Sequence, residues 1–165
     1  MSNRLLRIIA WWEVASGILG IVSLVALYLD VSQDSARLSM GAINYWGGIA
    51  FFSFTAAAGR ALLRRSAWGL AASSFCQALQ VISFAFLAGP VFRIQAGPIL
   101  GFEISSAFVG FTGGLHFSFF LGKRLSGSAF EITVNVLAAI WTAALIRAWW
   151  QAKRAPELSR GLTSG

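Results

Sequence analysis

The sequence predicts an all-α integral membrane protein: four transmembrane helices, with a β-hairpin-like or re-entrant extracytoplasmic segment between helices 3 and 4. Three observations predict it. Hydrophobic residues make up 57% of the 165 residues and charged residues only 12%, against about 25% charged in an ordinary soluble domain. The mean hydropathy is +0.71. The charges fall between long apolar runs rather than on one face of each run. A small soluble domain buries only about 70% of the surface its unfolded chain exposes, so this composition excludes a soluble enzyme and a disordered chain.

The charge-free runs place the spans. Val14–Leu29 holds 16 residues and extends forward through Leu5, Leu38–Gly59 holds 22, Ser66–Phe92 holds 27 and Ile132–Ile146 holds 15. About 20 mostly apolar residues cross a bilayer as a helix, and every backbone group must be satisfied within it. The expected spans are about 5–29, 41–63, 67–91 and 129–150, forming one domain over 1–150. Residues 151–165, with Pro156 and Gly161, read as a basic, flexible cytoplasmic tail. Arg4 and Arg7 before an apolar run resemble a signal peptide, but the run is long and no A-x-A site follows, so it is read as a retained span.

Residues 92–128 form the expected outer loop. Its Ile104–Gly122 run has 19 charge-free residues, yet 97–127 holds seven of the 17 glycines. Phe102 and Ile104 alternate with Glu103 and Ser105, and Leu115, Phe117 and Phe119 with His116 and Ser118, a strand period. Gly113-Gly114 between them suits a hairpin turn. A fifth span is the alternative.

Charge supports four spans with both termini in the cytoplasm. Arg4, Arg7, Arg60, Arg64, Arg65, Arg147, Lys153, Arg154 and Arg160 then lie inside, and Arg37, Arg93, Lys123 and Arg124 outside, nine against four. That is the positive-inside direction, and the expected location is a bacterial inner membrane. The net charge of +7 is thus topological, with anionic headgroups as its partner and not nucleic acid. Most of the tryptophans fall toward span ends, as headgroup anchors do.

Polar residues at membrane depth are the candidate functional positions. Glu13 lies inside the first span, with Arg60 at matching depth in the second. A Glu13–Arg60 bridge is the structural expectation and a proton- or cation-linked carboxylate the functional one. Gln77 and Gln80 share a face of the third span, with Ser73, Ser74 and Ser83 along it. This stripe predicts interhelical hydrogen bonds or, alternatively, a path lined by several copies. Asn44, Arg93, Glu131 and Asn135 form a candidate outer cluster. Ser16/Gly20, Ser53/Ala57, Gly69/Ser73 and Ala139/Ala143 have the small-xxx-small spacing of close helix contacts.

No catalytic motif is present. Cys76 and His116 each stand alone, so no disulfide, metal site or cofactor is expected. The expected function is a non-enzymatic, oligomeric membrane subunit: a sensor, anchor or scaffold in a homo-oligomer or larger complex. It would use an outer contact loop and cytoplasmic ends that dock a protein partner. An oligomeric ion channel or small-solute transporter using Glu13, Gln77 and Gln80 is the second reading. A cofactor- or pigment-binding subunit of a membrane complex, suggested by the 23 aromatics, is the third.

Overall fold

A computed structural model describes residues 3–30, 42–123 and 129–161. The element order is α1 (Asn3–Asp30), α2 (Ala42–Leu63), α3 (Ala67–Leu79), β1 (Ile82–Phe86), β2 (Pro90–Ser105), β3 (Val109–Lys123), β4 (Phe130–Asn135) and α4 (Val136–Gly161). The protein is therefore α+β, and the all-α expectation of four spans is overturned. Among the described helices only α1, over Arg4–Leu29, is long and apolar enough to cross a membrane by length and composition.

The third and fourth expected spans fail for one physical reason. Their apolar runs contain a two-residue repeat, which a count of charge-free positions does not register. α3 has 13 residues, about 20 Å of helix, too short for a hydrocarbon core of about 30 Å. Beyond it Ile82, Phe84 and Phe86 alternate with Ser83 and Ala85, and the β-branched and aromatic side chains favour a strand. Likewise 130–135 is strand before α4 begins. Asn135 caps α4, its Oδ1 accepting from the Ala138 N–H at 3.2 Å.

The outer segment also differs from expectation. The hairpin turns at 106–108, where Ser105 Oγ accepts from the Phe108 N–H at 3.0 Å. Gly113 and Gly114 lie within β3, opposite Leu100 and Ile99. Helix α4 continues through 151–161, part of the expected flexible tail. Asp34, Arg37, Arg124 and residues 162–165 lie outside the described residues.

α1 and α2 pack antiparallel, with Gly17 near Phe52 and Gly59 near Ala10. A Cβ on Gly17 would sit 2.5 Å from the Phe52 carbonyl oxygen, and one on Gly59 2.6 Å from that of Ala10. The two backbones thus approach as only glycine permits. At the end of α2, the Ser66 N–H donates to Ala61 O at 3.2 Å and the Arg65 N–H to Leu62 O at 2.9 Å. This is a Schellman closure, after which Ser66 caps α3 by accepting from the Gly69 N–H at 2.9 Å. Ile9, Ala10, Leu62, Leu70, Trp141, Leu145 and Ala148 form one core cluster. The start of α1, the end of α2 and the later part of α4 therefore share one end of the helical layer.

At the other end is an antiparallel sheet of order β1-β4-β2-β3, with β1 also pairing to β2. Phe84 is opposite both Phe92 and Ile132, and Ile132 is opposite Ile104. Twelve residues of straight strand would separate 92 from 104 by about 40 Å, but three strand spacings are only about 15 Å. β2 must therefore bend sharply. Gly97, at φ +106°, supplies backbone freedom in the bend. β1, β4 and β2 close on themselves, and β3 follows β2 along 15 paired residues.

Candidate functional site

The closed curl sorts its side chains by parity. The convex face carries Phe92, Ile94, Ala96, Pro98, Leu100, Phe102 and Ile104 of β2, with Val109, Phe111, Leu115, Phe117, Phe119 and Leu121 of β3 beside them. β1 and β4 add Ile82, Phe84, Phe86, Phe130, Ile132 and Val134. The one polar side chain of the same parity is Lys123, the last residue of β3, opposite Pro90. Only part of this face is covered: Ile94, Ala96 and Phe119 pack with Leu24, Phe51 and Phe52 of the helical hairpin. Phe111 is 81% exposed, Val109 63%, Leu100 59% and Leu115 58%.

The concave face is the polar one. Arg93, Gln95 and Glu103 of β2 line a cleft of about 70 Å³ with Thr112 and His116 of β3 and Glu131 and Thr133 of β4. Arg93 donates to the Glu131 carboxylate as a half-buried ion pair. Gln95 is buried, donating through Nε2 to Ser83 Oγ at 3.4 Å and accepting through Oε1 from the Ser118 hydroxyl at 3.3 Å. A cleft of this size is on the scale of a few water molecules.

A second polar centre joins the helices. Glu13 on α1 is 1% exposed. Its Oε2 accepts from the Ser73 hydroxyl at 2.5 Å and its Oε1 from Gln77 Nε2 at 3.1 Å. Ser73 and Gln77 are four apart, so one face of α3 presents both donors. Gln80 ends α3 and locks it to the sheet: Nε2 donates to Cys76 O at 3.0 Å and Oε1 accepts from the Ala96 N–H at 2.9 Å. Ser16 nearby is the one buried side-chain oxygen among the described residues without a hydrogen-bond partner.

Glu13 and Gln77 are thus brought together in one buried contact, while the buried Gln80 side chain bonds instead to the Cys76 carbonyl and the sheet. Arg60 is not part of it: it is exposed and makes no ion pair among the described residues. Of the outer cluster, only Arg93 and Glu131 meet. Asn44 instead accepts from the Leu121 N–H at 2.8 Å, covering one point of the β3 edge, and Asn135 is the α4 cap. Ser83, Gln95, Glu103, Thr112, Ser118 and Thr133 share the concave face with Ala85, Val91, Ile99 and Phe120, and sequence reasoning did not assemble them. Their signal was the alternation of Arg93, Gln95 and Glu103, hidden because the partner positions lie on three other strands. Cys76 is buried, and no group of three or more metal-ligating side chains occurs among the described residues. No family model, curated protein or solved structure matches this chain.

Proposed function

We propose that this chain is a non-enzymatic subunit embedded in a membrane, with α1 as the crossing element and the convex sheet face in the same apolar layer. The inverted polarity of the sheet carries this reading. A soluble curled sheet puts apolar residues inside; here most inward side chains are polar, with Ala85, Val91, Ile99 and Phe120 among them, and the outward ones are apolar except Lys123 at the end of β3, as in sheets surrounded by lipid. α1 supports it independently, because Ile18, Leu19, Val22 and Leu29 are each more than 40% exposed. A helix apolar on all sides belongs in a protein core or a bilayer.

The shared helical end carries Arg4, Arg7, Arg60, Arg64, Arg65, Arg147, Lys153 and Arg154, with Trp11, Trp12, Trp68 and Trp150 exposed among them. That band suits the cytoplasmic headgroup level of an inner membrane, and in this reading the start of α1 and the end of α2 lie on that side. The partner is a second copy. β3 has one strand neighbour among the described residues, and open strand edges do not persist in hydrocarbon, so copies pair through this edge. The channel reading has less support, because Gln77 and Gln80 spend their amides inside one chain.

The test is collision accessibility of a spin label at Phe111→Cys in reconstituted bilayers, with Cys76 buried as the silent background. Greater relaxation by oxygen than by a water-soluble nickel chelate is expected. The reverse order would put the convex face in water and end the proposal.

A further inference from the structure

At the basic end of the helical layer, α1, α2, the start of α3 and α4 line a cleft of about 530 Å³ whose lining includes Leu6, Arg7, Trp11, Leu62, Arg65 and Gln151. The lining combines aliphatic side chains with two arginines. Neither Arg7 nor Arg65 has an ion pair among the described residues. The other cations nearby are differently placed: Lys153 lies 3.9 Å over the Trp149 ring and Arg154 5.8 Å from that of Trp150.

Arg65 carries a second mark. It has φ +57°, at the Schellman position that glycine ordinarily fills. A side chain there costs of order 1 kcal/mol against glycine, and an outlier of this kind points toward function rather than stability. Arg65, at this left-handed turn, and Arg7 of α1 both line the cleft.

We propose that this cleft binds one anionic phospholipid: Arg7 and Arg65 hold the phosphate through charge-assisted hydrogen bonds, and an acyl chain lies along Leu6 and Leu62. The aliphatic part of the lining selects a lipid over free phosphate. Trp11, an amphipathic ring at the mouth, packs at the glycerol level. The inference rests on the membrane reading above, but it can fail separately from it.

The experiment is native mass spectrometry of the full chain released from neutral detergent, after equilibration with phosphatidylglycerol or phosphatidylcholine. The wild type is expected to retain phosphatidylglycerol preferentially. Arg65→Gly should reduce that retention about tenfold, the equivalent of one modest charge-assisted hydrogen bond, while thermal unfolding stays unchanged or moves upward. Arg7→Gln should act in the same direction. Equal retention of the two lipids by the wild type overturns the proposal, and so does Arg65→Gly with undiminished preference. Displacement of the lipid by excess inorganic phosphate would also overturn it, assigning the cleft to a free anion. A chain washed from membranes by alkaline carbonate that still prefers phosphatidylglycerol would remove the membrane reading and leave this site standing.

Discussion

Glu13 shows at the scale of one residue what a buried carboxyl group requires. Its two oxygens are each met by a donor from α3, one from Ser73 and one from Gln77. A buried polar group left without its partner costs about 1–3 kcal/mol. Ser73→Ala is therefore expected to lower stability by that amount in thermal unfolding of the detergent-solubilised chain. In a double-mutant cycle with Glu13→Ala the two losses should be less than additive, because both remove one contact. Full additivity would mean that the contact carries no energy. Glu13 was conspicuous in the sequence because a charge interrupts an apolar run. Its partners were not, since Arg60 and the α3 stripe lay at comparable depth and only packing chose the stripe.

Between elements, the closest fit is the α1–α2 contact. Gly59 has no room for a Cβ beside the Ala10 carbonyl oxygen, 2.6 Å away. Gly59→Val should separate the helices and cost about 2–3 kcal/mol, as overpacking does, read as a fall in unfolding temperature. Ala57, which the small-residue spacing pairs with Ser53, is exposed, so Ala57→Val should change stability by less than about 0.5 kcal/mol. Equal effects of the two substitutions would show that the close contact at Gly59 carries no special weight. The sheet gives the complementary case. Its alternation was legible in 102–105 and 115–119 but not in 82–86 or 130–135, where long apolar runs surround it. The strand pairing that bends β2 depends on residues tens of positions apart, which no local pattern encodes.

For the whole molecule, β3 has one strand neighbour among the described residues, and under the proposed membrane reading that open edge and the apolar convex face leave a single chain incomplete. Assembly through β3 is the expected remedy. Leu115, 58% exposed on β3, is a suitable probe because a lysine near a strand edge opposes edge-to-edge pairing. Leu115→Lys is expected to shift the particle from an oligomer toward a monomer on blue-native electrophoresis. A wild-type chain that migrates as a monomer would remove the edge-pairing proposal. The internal contacts of the concave cleft should survive the substitution, since they lie on the opposite face of the sheet.

The sequence by itself determined that this chain is unusually apolar, that its first helix is long and apolar enough to cross a membrane, and that its basic residues cluster between apolar runs. Those properties are sums over the chain or over short windows of it, and such sums need no knowledge of which residues touch. Tertiary structure decided the rest: that two apolar runs end in strands, that the strands close into a curl with its polar face inward, and that Glu13 bonds to α3 and not to Arg60. A charge-free run satisfies a helix and a strand equally until its neighbours are in place, because the backbone's hydrogen bonds can close within a segment or between segments. Here β1, β2 and β4 supply one another's partners, and that mutual pairing is what the linear order of residues conceals.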